Sequence, residues 1–146
     1  MKMKKAAVLL MCFVSCTFLF GQSDTDEVNV IIPNNITAIE DGAYSGSKSL
    51  VVVNIPASVT RIGMGAFRGC EGLTVVNMLP GLTTIGEYAF ASCKNLSAVT
   101  IPGSVTDIGT GAFSACPNLR SVIMSRKTQL APDVFRGAPV YILYID

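Results

Sequence analysis

The sequence predicts a repeat solenoid: a parallel β-sheet of about five strands, one per repeat, with short second strands and helical or 3₁₀ turns on the opposite side. Three observations carry that prediction. The segment from Ile55 to Leu73 returns 46 residues later as Ile101 to Leu119, with a looser copy from Met78 to Leu96 between them, so the period is 23. A fixed period of this size marks units that stack on one another. Apolar residues recur in columns at the same spacing. Finally, one unit cannot stand alone. Five or six buried side chains at ~1.5–3 kcal/mol each do not offset ~1–2 kcal/mol of backbone entropy for every residue of a repeat. Neighbouring units must supply the rest.

Taken in order, the chain opens with an export pattern. Lys2, Lys4 and Lys5 precede the apolar run Ala6 to Phe20, and Gly21-Gln22-Ser23-Asp24 ends it. A charged start, an apolar middle and a small-residue exit define a secretory signal, here residues 1–22. The run of 15 residues is shorter than the roughly 20 that span a bilayer. Two processing routes fit. Cleavage after Gly21 uses the small residue wanted before the cut. Alternatively, Phe13-Val14-Ser15-Cys16 serves as a relaxed lipobox and Cys16 is lipidated, the one route that ties the protein to a membrane. The apolar residues Thr17 to Phe20 favour simple cleavage, because a lipoprotein turns polar at that point. Residues 23–27 form a polar spacer, and the solenoid of about five repeats occupies 28–146.

Val28 to Pro33 reads as the first strand. In later repeats Leu50, Leu73, Leu96 and Leu119 open the strand, and Val53, Val76, Val99 and Val122 follow three residues on. Tyr141 and Tyr144 are their aligned last members. Ile32, Ile55, Met78, Ile101 and Met124 form the next column. Val and Ile two apart share one face of a strand, and Pro ends it because Pro has no N–H for the ladder. Val59-Thr60-Arg61-Ile62-Gly63 is short and β-branched, which suits a second, smaller strand. Gly65-Ala66-Phe67 starts the turn expected to be helical or 3₁₀, ending near Gly69-Cys70. Tyr44, Phe67, Phe90, Phe113 and Phe135 form an aromatic column that belongs inside, with Phe90 between Phe67 and Phe113. Thr37, Thr60, Thr83, Thr106 and Thr128 form a ladder whose hydroxyls bond between repeats.

The chemistry-bearing residues are sparse. Half of the residues are hydrophobic and 14% are charged, which excludes a disordered chain. There is no His, the commonest general base and metal ligand. Loss of the three leading lysines takes 11 basic residues to 8 against 10 acidic ones, a net charge of −2 that offers nothing to nucleic acid. Cys70, Cys93 and Cys116 stand 23 apart with no carboxylate or other ligand repeating beside them, so they read as small buried side chains. Glu40, Glu87, Asp107 and Asp133 form no repeated acid/base pair, and no Gly-rich loop leads into Lys-Ser or Lys-Thr. The chain is therefore read as non-enzymatic, with no catalytic residue, metal or cofactor assigned.

The outer face of the large sheet is what remains. Its outward positions are Val52, Asn54, Val75, Asn77, Ala98, Thr100, Ser121, Ile123, Leu143 and Ile145. Parallel strands bring equivalent residues to ~4.8 Å, so the ten are expected to form one continuous, uncharged and largely apolar patch. Contiguous apolar surface of this kind contacts a protein partner.

The string I-P-x-x-V-T-x-I-G-x-x-A-F-x-x-C-x-x-L resembles the BspA-like, or treponemal-type, leucine-rich repeat. The resemblance covers the chain from about Val28 onward. It departs at the ends, where Ser47 and Ala138 replace the column Cys and Lys127 a column Val. It implies a leucine-rich-repeat-like, horseshoe-shaped solenoid on a bacterial or protist surface, often adhering to host proteins. The sequence reading is thus an exported, adhesin-like binding module, periplasmic, at the cell surface or secreted, whose partner is a host or envelope protein. The alternative is an envelope assembly protein that associates through its last strand. Residues 141–146 carry no polar cap, and two copies meeting there would pair as an antiparallel homodimer.

Overall fold

In the computed structural model, residues 28–145 are described. The expected export signal and spacer, including Cys16, and Asp146 lie outside them. The chain coils so that each repeat lays one long strand on one side and a two-residue strand on the other. The long strands are β1 (Val28–Ile31), β3 (Leu50–Ile55), β5 (Val75–Met78), β7 (Ala98–Thr100), β9 (Ser121–Met124) and β11 (Tyr141–Tyr144). The short ones are β2 (Ala38–Ile39), β4 (Arg61–Ile62), β6 (Thr84–Ile85), β8 (Asp107–Ile108) and β10 (Gln129–Leu130). All pairings between them are parallel, and the short strands form one unbroken sheet ordered β2-β4-β6-β8-β10.

The large sheet differs from the expected single sheet of about five strands. Among the described residues there are six long strands, in two groups of three, β1-β3-β5 and β7-β9-β11. The register at the last strand also needs correcting. Tyr141 lies opposite Ser121, Ile142 opposite Val122, Leu143 opposite Ile123 and Tyr144 opposite Met124. The expected alignment placed Tyr141 and Tyr144 in the Leu and Val columns. Instead Val140 and Ile142 pack against the core there, because Ala138, Val140 and Ile142 are spaced by two where Cys116, Leu119 and Val122 are spaced by three.

The third side of each coil is not helical. Ala66, Arg68 and Cys70 donate their N–H to the carbonyls of Gly63, Gly65 and Phe67, three residues back. The alternate amides, on Gly65, Phe67 and Gly69, point the other way, to Glu87, Ala89 and Ala91 of the next repeat at 2.8 Å. A 3₁₀ helix would turn every amide inward. Here half of them are taken by the neighbouring coil, and the chain runs as a series of tight turns. Two positions per repeat adopt positive φ. One is Gly42, Gly65, Tyr88, Gly111 and Asp133; the other is Gly46, Gly69, Ser92, Ala115 and Gly137. Each reversal into the left-handed region breaks any helix that starts.

The core is the set of columns seen end-on. Leu50, Leu73, Leu96 and Leu119, with Val53, Val76, Val99 and Val122, are buried beneath the long strands, and Ile39, Ile62, Ile85 and Ile108 beneath the short ones. Tyr44, Phe67, Phe90, Phe113 and Phe135 stack in one file with ring centroids 5.1, 5.1, 5.2 and 5.8 Å apart. Phe90 is fully buried between Phe67 and Phe113, as expected. Repeats approach closely where Ile is followed by Gly. A Cβ on Gly86 would come within 2.7 Å of the Gly63 carbonyl carbon, and Gly63 and Gly109 are as crowded, so these three positions have no room for a side chain.

Candidate binding face

The polar columns hold the coils in register and leave little chemistry to spare. Thr60 uses both its N–H, at 2.8 Å, and its hydroxyl, at 3.2 Å, on the Thr37 carbonyl. Thr83 and Thr106 repeat the arrangement on the threonine one repeat earlier, and the Thr128 hydroxyl reaches the Val105 carbonyl at 2.9 Å. The cysteines do the same inside. The thiols of Cys70, Cys93 and Cys116 donate to the carbonyls of Tyr44, Phe67 and Phe90 at 3.1–3.3 Å. Burial pushes the Cys70 and Cys116 thiols up to about 11, and Cys93 further in the same direction, with its two neighbouring cysteines adding to the effect. These are protonated donors inside the core.

The outer face of the long strands is built differently. Every second strand residue faces away from the core, and the pairing sets the outward residues in two rows. One runs Asn29, Val52, Val75, then Ala98, Ser121, Tyr141; the other runs Ile31, Asn54, Asn77, then Thr100, Ile123, Leu143. None of the twelve is charged. The Asn77 side-chain N–H donates to Asn54 Oδ1 at 2.8 Å and ties the second row together across β3 and β5. A shallow hollow of about 240 Å³ lies along Ile31, Asn54, Asn77 and Leu79.

Nine of the ten sequence-predicted face residues lie in these rows. Val52, Asn54 and Ile123 are half-buried and the other six are exposed. Leu143 stands beside Ile123 and not beside Ser121. Ile145 falls outside β11, although its N–H still reaches the Met124 carbonyl at 3.0 Å. The reading missed Asn29, Tyr141, 81% exposed, and Ile31, 76% exposed. The Val28-Asn29-Val30-Ile31 alternation signalled Ile31; Tyr141 was hidden by the shortened turn before it.

The backbone pairing beneath the expected patch has one break. Between β5 and β7 the hydrogen-bonded ladder is interrupted, although the two strands stay in contact, and a shallow depression lined by Thr74 to Leu79 and Ser97 to Thr100 lies on the outer face there. The local sequence departs at the same place. Leu79-Pro80-Gly81 replaces the Pro-Ala-Ser and Pro-Gly-Ser of the flanking repeats. Met78 is only half-buried where Ile55 and Ile101 are fully enclosed, and Leu79 is exposed.

Comparison with known proteins agrees with this architecture. The pattern described as the BspA type leucine rich repeat region matches residues 15–140, in six copies. A leucine-rich repeat protein of T. pallidum superposes with a TM-score of 0.73 at 32% identity, over 77% of this chain and 56% of that one. A leucine-rich cell surface protein of Faecalibacterium prausnitzii gives 0.74 at 28% identity, over 80% of this chain and 31% of that one. A leucine-rich repeat protein of Bacteroides capillosus gives 0.61 at 32% identity, over 66% and 76% of the two chains. The chain thus spans about half, and about a third, of the first two proteins. No curated protein matches it.

Proposed function

Since this chain belongs to the BspA-type leucine-rich repeat family, whose repeats build surfaces for protein interaction, we propose that it is an exported, non-catalytic module that binds a protein through the outer face of its long strands. The carrying observation is that face itself: twelve outward positions without a charge, several of them large and apolar, in a chain that has charged residues to spare elsewhere. A soluble surface without such a role would place charge there. The F. prausnitzii relative is described as a cell surface protein, which supports export and an adhesin-like role toward a host or envelope protein. Lipidation at Cys16 would anchor the module, and mass spectrometry of the mature N-terminus distinguishes it from simple cleavage.

Site-specific photo-crosslinking tests the reading. A crosslinker at Ser121, in the middle of the β7–β11 face, is expected to capture a discrete protein on producing cells or on host cells. One at Met64, exposed on the turn side, is not. Val75→Arg should abolish the Ser121 product. Equal capture from both sites overturns the proposal.

A second reading rests on one specific observation. β11 pairs only with β9 among the described residues, and Tyr141, Leu143, Tyr144 and Ile145 on and beside it are exposed. A second copy pairing along β11 would cover them. Sedimentation of the mature protein at high concentration checks this: a dimer that Leu143→Lys and Ile145→Lys disperse supports it, and a monomer removes it.

A further inference from the structure

The two ends of the described stack are chemical opposites. On the turn side each coil donates toward the next: the N–H groups of Gly111, Phe113 and Ala115 reach the carbonyls of Pro132, Val134 and Arg136 at 2.7–3.2 Å. One coil later the equivalent N–H groups belong to Asp133, Phe135 and Gly137, and among the described residues they have no backbone acceptor. At the other end the equivalent carbonyls are those of Asp41, Ala43 and Ser45, and no backbone N–H among the described residues reaches them. On the short-strand side the direction reverses. Gln129 and Ala131 donate back to Thr106 and Ile108, so the last coil leaves the Thr128 and Leu130 carbonyls and the first coil leaves the Thr37 and Glu40 N–H groups.

Any cut through a stack exposes complementary backbone groups; charge and packing single out these two ends. Residues 23–49 hold Asp24, Asp26, Glu27, Glu40 and Asp41 against Lys48, a net −4. Residues 50–116 hold three charges of each sign. Residues 117–146 hold Arg120, Arg126, Lys127 and Arg136 against Asp133 and Asp146, a net +2. The apolar columns also end open at the last coil. Leu130 is 41% exposed where Ile108 is 2%, and Phe135 is only half-buried at the end of the ring file.

We propose that copies of this chain stack head to tail, the last coil of one on the first coil of the next. The proposal rests on the reading that a second copy covers the last strand, and it changes which surface of that copy does so. A two-fold pairing of two last strands brings two basic ends together, and like charges repel. Head-to-tail contact sets the basic end against the acidic one, pairs every unused N–H named above with a carbonyl, and buries Leu130 and Phe135. Such a contact joins two different surfaces and repeats the step between coils, so it continues as an open filament and does not close at a dimer.

The test is sedimentation velocity of the mature protein and of two variants, each blocked at one end. One reverses the acidic end with Asp26→Lys, Glu27→Lys and Glu40→Lys. The other places charge in the open core of the last coil with Leu130→Lys and Leu143→Lys. The unaltered protein is expected to form a concentration-dependent series beyond the dimer, weakened at least tenfold as salt rises from about 0.05 to 0.5 M. Each variant should be monomeric alone. Their equimolar mixture should give a 1:1 dimer and nothing larger, because each supplies the end that the other lacks. If Leu130→Lys does not fold, Leu143→Lys with Ile145→Lys takes its place. An acid-reversed variant that dimerises alone overturns the head-to-tail contact and leaves the two-fold pairing standing. A mixture without dimer, where the unaltered protein assembles, also overturns it. An unaltered protein that stays monomeric at high concentration overturns both.

Discussion

Phe90 sits in the middle of a five-ring file with no exposed surface, and removing it opens a hole that neighbouring rings, fixed by their own coils, cannot close. Phe90→Ala should therefore cost about 3–5 kcal/mol in denaturant unfolding. Thr60 is exposed at its side chain, and its hydroxyl shares with its own N–H a carbonyl that remains bonded when the hydroxyl is gone. Thr60→Ala should cost about 1 kcal/mol. Similar losses for the two would contradict the packing. The left-handed positions predict a gain. Ala115 adopts φ 53° where the first, second and fifth repeats have Gly46, Gly69 and Gly137. A non-glycine residue is strained there by roughly 1–2 kcal/mol, more than glycine gives back in chain entropy. Ala115→Gly should raise the melting temperature, and Gly69→Ala should lower it.

Among the elements, the strand columns were legible because burial repeats with the sequence. Ile62, Ile85 and Ile108 are buried at the same point of their short strands, and the second and fourth repeats are identical at every buried column position from Ile55 to Leu73. The turns were not legible. Tyr88, Ser92 and Ala115 do not announce a positive φ, and a hydrogen bond to the next coil leaves no local pattern. β11 was misregistered for a related reason. A period assigns residues only while repeats keep their length, and Val140 marks two deletions that a column count absorbs as one offset. The candidate face was legible as alternation, whereas the break in its backbone pairing between β5 and β7 leaves no periodic mark in the sequence. The register carries its own check. Spin labels at Tyr141 and Ser121, opposite each other, should lie nearer than labels at Leu143 and Ser121.

For the molecule as a whole, three buried thiols couple stability to alkaline pH. The Cys70 and Cys116 thiols titrate near 11 in the folded chain, above the usual thiol range, so the unfolded chain releases these protons first. Their contribution is complete below the unfolded value and is lost as pH rises through about 11. Melting temperature should fall between pH 9 and 11, and Cys70→Ala with Cys116→Ala should flatten that fall, on top of any cost at neutral pH. The threonine bonds and the alternate turn amides described above run along the stacking axis, and this has a mechanical meaning. Tension applied between the two ends of the stack loads one coil's bonds at a time and never the whole sheet. Each coil that peels away frees about 75 Å of slack, 23 residues at ~3.5 Å less one strand spacing. In optical tweezers the protein should lengthen in even steps of that size, behaving as a serial shock absorber for anything pulling on it.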